Sequence, residues 1–159
     1  DIILSQYGHM FAPRPTVVVK ELARVLKPGG ILAFSTWPKE LFMGKFFKLI
    51  ESFSQPLPPG VASPVLWGDM AVIEERLKDH FNQIEFGRDT MFAPTMSPAH
   101  MLKLFEKNAG PLANLVKTLA NDPTKLSNLR NASLGLIENF FSNNFLRQDF
   151  LMTRCVKKA

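Results

Sequence analysis

Apolar positions at the start of the chain fall into two short blocks with a helix-like pattern between them. Ile2-Ile-Leu4, within residues 1–7, and Ile31-Leu-Ala-Phe34, within 31–37, are β-prone runs, while Val18, Leu22, Val25 and Leu26 recur at the spacing of one helix face. Pro15 stands at the first helical position, where no amide partner is lost. Lys27-Pro-Gly-Gly30 then stops the helix: the cation complements the dipole of the last turn, proline cannot continue it, and glycine accepts positive φ in the turn that follows. Strand, helix, glycine turn and strand predict a parallel crossover unit, in which functional groups gather at the carboxyl ends of the strands.

Further along, Phe42, Phe46, Leu49, Ile50 and Phe53 mark an amphipathic helix with Lys45 and Lys48 between them. The prolines of 55–64 then forbid regular structure. Asp69 is a good N-cap for a helix carrying Met70, Ile73, Leu77 and Phe81 on one face. Ile84 and Phe86 alternate with polar neighbours and predict a strand over 83–92. Ser97-Pro98 opens a helix with Met101, Leu102 and Phe105, which Asn108-Ala-Gly110 ends; Asp122-Pro123 opens another with Leu126, Leu129, Ser133, Ile137 and Phe140. The last strand, over 145–156, is apolar at Phe150, Leu151 and Met152, which predicts burial on both faces beneath helices. No internal repeat or low-complexity segment is present.

With 159 residues and 46% hydrophobic composition, the chain suffices for one core, so a single domain over 1–159 is expected. The formal charge of +5 is spread along the chain apart from Arg154-Cys-Val-Lys-Lys158, which argues for solubility and gives no reason to expect a nucleic-acid partner. Cys155 is the only cysteine; it excludes an internal disulfide and fits a reducing, cytoplasmic compartment. With one cysteine, and with His80 and His100 on unrelated elements, no metal-ligand cluster is expected. No apolar run reaches the ~18 residues of a membrane span.

The order of these elements and the phrase Arg24-Val-Leu-Lys-Pro-Gly-Gly30 resemble the class I S-adenosylmethionine-dependent methyltransferases, especially the branch of the ubiquinone and menaquinone biosynthesis C-methyltransferases. The likeness is close over 1–37, loose over the helical middle, and returns over 143–157. It implies an α/β fold: the carboxyl-terminal half of a Rossmann-like methyltransferase sheet, with strands corresponding to the fourth to seventh, helices on both faces and an inserted helical lid over 38–66. The glycine-rich loop and acidic residue with which that family binds its cofactor have no counterpart in these residues. The expectation is therefore that this is the back half of a longer enzyme, with the main S-adenosylmethionine site in the missing amino-terminal half.

On this resemblance the loop after the first strand faces the cofactor, through Ser5, Gln6, Tyr7, Gly8 and Met10, and Trp37, Phe42 and Phe46 line the acceptor pocket. His9 is the candidate for general acid/base work, an imidazole near its unperturbed pKa within reach of an acceptor proton; its alternative is a histidine hydrogen-bonded to the loop backbone. Tyr7 and Trp37 could equally pack, and the phenylalanines after Trp37 could cover the acceptor, pack on the sheet or rest on a membrane surface. Methyl transfer from a sulfonium is an in-line displacement that needs positioning in a dry pocket more than acid and base groups, so the lack of a triad does not count against it.

Two functions remain at this point. The first is methyl transfer from S-adenosylmethionine to a small-molecule acceptor, with this chain the acceptor-side half and inactive alone. The second is a truncated non-catalytic relative acting as a binding or dimerisation module, a lipid- or acyl-binding module being the weaker variant suggested by 14 phenylalanines and 7 methionines. On either, Ile2–Leu4 forms an open sheet edge through which the chain is expected to self-associate.

Overall fold

The computed structural model describes residues 1–159. In chain order the elements are β1 (Ile2–Gln6), a 3₁₀ turn (His9–Phe11), α1 (Pro15–Val25), β2 (Ile31–Thr36), α2 (Phe42–Phe53), a 3₁₀ turn (Pro64–Gly68), α3 (Met70–Leu77), β3 (Phe81–Pro94), α4 (Pro98–Asn108), α5 (Gly110–Thr118), α6 (Pro123–Glu138), β4 (Phe141–Ser142) and β5 (Phe145–Lys157). Their contacts divide the chain into two compact units, one of residues 1–39, 57–89 and 149–159 and one of residues 40–56 and 90–148.

The first unit holds β1 and β2 with residues 81–89 of β3 and 149–157 of β5, and the strand order of the sheet is β1-β2-β5-β3, with β4 paired to β5. β1 and β2 are parallel, Ile2 opposite Ile31 and Gln6 opposite Ser35, so the crossover read from the sequence is present with α1 as its helix. β5 lies antiparallel on the other side of β2, with Ile31 opposite Val156 and Thr36 opposite Leu151, which makes the sheet mixed. Gly29 supplies the turn into β2 at φ +75, and its amide donates to the Lys157 carbonyl at 3.1 Å, tying the turn to β5.

One sheet face is well filled: Leu32, Phe34 and Thr36 of β2 and Leu151, Thr153 and Cys155 of β5 are all buried, with Trp67, Ile73 and Leu77 also in this core. Burial pushes the Cys155 thiol up to about 12, which leaves it an inert core side chain. The opposite face is thinner. Ile2 is 64% and Leu4 78% exposed. Burial of β5 on both sides is therefore not found: Leu151 is buried, but its neighbour Met152 is 41% exposed, because the strand follows the two-residue alternation of a one-sided sheet.

The stripe on α1 is also displaced. Leu26, just past its end, is buried as expected, but the buried residues within the helix are Val19 and Ala23, and Val25 is exposed. Val17, Val18, Leu22 and Val25 instead line an apolar groove of about 400 Å³ with Ala12 and Pro13. Phe81, read as part of the α3 face, opens β3, because α3 ends at Leu77 and His80 turns back with its amide on the Leu77 carbonyl at 3.0 Å.

The second unit is mainly helical. Phe42 and Phe46 of α2 stack at 5.6 Å between centroids; Phe105 of α4 lies 5.1 Å from Phe46, Phe140 lies 5.5 Å from Phe42, and the Lys45 ammonium sits 5.6 Å over the Phe140 ring. Ser97 and Asp122 cap α4 and α6 as expected, accepting from the His100 amide at 3.1 Å and the Lys125 amide at 2.9 Å. α5 has no counterpart in the sequence reading. Gly110 looked like a terminator, yet it is the first residue of α5, with Pro111 beside it in the first turn. β4 and β5 form a hairpin, Ser142 opposite Phe145, around Asn143 and Asn144 at φ 50 and 62. Two consecutive left-handed residues are what a two-residue turn of this hand requires, and asparagine tolerates them.

Candidate functional site at the carboxyl ends of β1 and β2

The sequence expectation directs attention to the loop that leaves β1. Its first residue, Tyr7, holds φ 61, a left-handed conformation that costs a bulky side chain energy. It is held there by its amide, which donates to the Ser35 carbonyl at 3.2 Å, and by its ring, which lies flat on Trp37 with centroids 3.9 Å apart and planes 4° apart. Phe150 meets the Tyr7 ring edge-on at 6.5 Å. Partial burial raises the Tyr7 pKa above its ordinary value, and a hydrogen bond with the Ser35 side chain opposes that rise. The result is a half-buried Tyr7 ring stacked on a buried Trp37 at the carboxyl ends of two adjacent parallel strands.

Behind it sits His9. Ser5 Oγ is 3.0 Å from His9 Nδ1 and accepts from the His9 amide at 3.2 Å, closing the loop on itself. The imidazole meets Phe34 at 4.4 Å and Trp67 at 4.7 Å between centroids, both edge to face. Arg76 of α3 lies 4.5 Å over the Trp67 ring. Burial first, and the nearby Arg76 charge second, lower the His9 pKa to about 4, so the ring is neutral at physiological pH. Its Nε2 is buried with no hydrogen-bond partner, as are Trp67 Nε1 and Arg76 Nη1. A second ring proton would therefore add a cation beside Arg76, in a place where Nε2 meets no acceptor.

The expected site residues divide as follows. Ser5, Tyr7, His9 and Trp37 converge in the first unit, and Gln6 ends β1 with an exposed side chain. Met10 is buried, so its side chain belongs to the core. Gly8 is right-handed, and within the chain a Cβ there would meet only Ser5 Oγ at 3.7 Å. Phe42 and Phe46 are fully buried in the aromatic core of the helical unit. Ser35, Phe150, Trp67 and Arg76 were not singled out as site residues; the signal for Trp67 was its place before Gly68 and the Asp69 cap, and the others are fixed by register and packing that sequence spacing does not show. No group of three His, Cys, Asp or Glu side chains is placed to hold a metal ion. No helix is long and apolar enough to cross a membrane.

A crossover of parallel strands with an antiparallel neighbour makes this a mixed α/β sheet. The family profile described as a methyltransferase domain matches residues 1–34, the stretch that carries the resemblance in the sequence, and the chain resembles the class I S-adenosylmethionine-dependent methyltransferases. A solved structure from Bacillus halodurans, provisionally called a methyltransferase, superposes with a TM-score of 0.50 at 12% identity, over 99% of this chain and 64% of that one, a likeness of fold. Among curated proteins, an uncharacterized Mycobacterium tuberculosis protein is 28% identical over 153 residues, 96% of this chain and 56% of its own length. A second from the same organism is 23% identical over 159 residues and 58% of its length. The chain thus spans a little over half the length of the curated relatives it matches.

Proposed function

We propose that this chain is the acceptor-side half of a small-molecule methyltransferase that uses S-adenosylmethionine, with β1, β2, β3 and β5 in the places of the family's fourth, fifth, sixth and seventh strands. The observation that carries the reading is Tyr7, a bulky residue held left-handed directly after a parallel strand with its ring flat on Trp37. Such strain persists where the surrounding structure over-determines it, and it concentrates at ligand sites. Here it stands within the segment that matches the methyltransferase domain.

The residues present suit part of the cofactor. An aromatic stack accommodates a sulfonium cation, and Ser5, Gln6 and Ser35 add polar groups beside it. When bound, S-adenosylmethionine supplies the electrophilic methyl group. This chain's part is to hold the acceptor in line and to exclude water, with Tyr7 and Trp37 as the wall. His9 acts as a positioning residue: its bond to Ser5 fixes the loop, and its enclosed neutral ring keeps Phe34 and Trp67 in register. Segment 38–66 retains its proposed part as an acceptor-side insertion, in a cytoplasmic enzyme. Hydrogen exchange of the native-length polypeptide with S-adenosylhomocysteine tests the reading at residues 5–9 and 35–37.

The second reading, a binding or dimerisation module, draws support from the open edge at β1, where Ile2 and Leu4 are mostly exposed. This chain is accordingly expected to self-associate, its sedimentation coefficient rising between micromolar and millimolar concentration, and Leu4→Lys is expected to shift it toward monomer. A wild-type chain that stays monomeric across that range removes the edge as a self-pairing surface.

A further inference from the structure

The helical unit carries a second cavity, remote in sequence from the β1 loop and with a different chemistry. It is a wide, open depression of about 580 Å³ lined by Thr95, Met96, His100, Asn143, Asn144 and Phe145, together with Pro94. Two distant segments make it, and a backbone bond joins them: the Thr95 amide donates to the Asn144 carbonyl at 2.9 Å. The left-handed Asn143-Asn144 turn forms one wall and the first turn of α4 another.

His100 is oriented within it. Thr95 Oγ1 lies 2.9 Å from His100 Nδ1, and the Met96 amide donates to the same nitrogen at 3.4 Å. A nitrogen that accepts from an amide is the unprotonated one, so the neutral ring carries its proton on Nε2, which is a donor. Around this donor the surface is unusually apolar: Met96 is 75% exposed, Phe92 60% and Phe145 42%, with Phe92 and Phe145 edge to face at 6.3 Å. No lining residue is acidic. A cluster of exposed sulfur and aromatic side chains beside one oriented donor and two side-chain amides has the composition of a ligand site: apolar walls with a few convergent polar groups.

We propose that this cavity binds a small carboxylate with an apolar body, an aromatic or medium-chain acid, its carboxylate accepting from His100 Nε2–H and the asparagine amides and its body resting on Met96 and Phe145. A carboxylate accepts at both oxygens and donates at neither, which matches a lining that offers donors and no acid. The inference stands apart from the methyl-transfer reading, because it uses none of the residues at the β1 loop.

The test is titration of the folded chain with sodium octanoate, sodium benzoate and 1-octanol, followed by NMR of the His100 ring protons and the Phe145 ring. Saturable shifts with at least one acid are expected, with 1-octanol weaker. His100→Phe keeps the ring volume, removes the donor, and is expected to weaken the acid about tenfold, the size of one charge-assisted hydrogen bond. Met96→Ser is expected to weaken it as well, while His80→Gln, which is not among the lining residues, leaves it unchanged. The proposal is overturned if no saturable shift appears at either residue, if 1-octanol binds as tightly as the acids, or if His100→Phe binds the acid like wild type.

Discussion

Gly68→Ala is expected to cost about 3 kcal/mol or more of folding stability, a large share of the 5–15 kcal/mol typical of a domain. A Cβ at this position would stand 1.9 Å from the Trp37 carbonyl oxygen, 2.7 Å from its carbon and 2.8 Å from Pro38 Cα. All three are backbone atoms, so no side chain can rotate away, and the chain after β2 must shift bodily. The shift would also pull Trp37 from its stack on Tyr7. Gly8→Ala is the control: its Cβ makes an ordinary 3.7 Å contact, the backbone is already right-handed, and the stability should be unchanged or raised by up to about 1 kcal/mol. Urea unfolding of both variants reads the difference. Equal midpoints for Gly68→Ala and wild type would mean that the Pro64–Gly68 turn does not press on Trp37.

The second large effect is a loss of stability in mild acid, caused by His9. Its folded pKa, about 4, lies below the value of about 6.5 expected in the unfolded chain. Between these values the unfolded state binds the extra proton, so the stability contributed by His9 is complete above pH 6.5 and is lost as pH falls toward 4. The gap corresponds to a contribution on the order of 3 kcal/mol. His9→Phe, which keeps an aromatic ring between Phe34 and Trp67 without a titrating group, should be less stable at neutral pH through loss of the Ser5 bond, yet flatter with pH across this window. A wild-type profile no steeper than that of His9→Phe between pH 6.5 and 4 would contradict a buried, neutral imidazole.

The opening of the chain was the most legible part because its signals are local and agree with one another. Pro15 at a helix start, Gly29 at positive φ and two β-prone runs each state their own conformation, and their order permits little besides a parallel crossover. The caps at Asp69, Ser97 and Asp122 were legible for the same reason, each being one side chain and one amide a few residues on. What failed depended on tertiary packing. The apolar stripe of α1 is wider than the face it buries, so spacing placed Leu26 inward but could not say that Val19 and Ala23 point inward and Val25 outward. Three consecutive apolar residues in β5 suggested two buried faces, but Met152 projects from the thinner side of the sheet.

The positions of Tyr7, His9 and Trp37 just after strands were legible in the sequence. The pairing of Tyr7 with Trp37 follows from the β1–β2 register, and the enclosure of His9 from the turn at Pro64–Gly68 and from Arg76 on α3, both about sixty residues away in sequence. Phe42 and Phe46 show the reverse failure. An aromatic stripe at helical spacing fits an acceptor pocket or a core equally well, and the structure gives both rings to the core of the helical unit.

The central claim is that the carboxyl ends of β1 and β2 form the ligand face of a methyltransferase. It is tested most directly by hydrogen exchange of the native-length polypeptide with and without S-adenosylhomocysteine. The expected result is slower exchange at the amides of residues 5–9 and 35–37 on adding the ligand, lost in Trp37→Ala, with the amides of α6 unchanged. Binding that leaves residues 5–9 and 35–37 unprotected, or no binding at all by the native-length polypeptide, would contradict it.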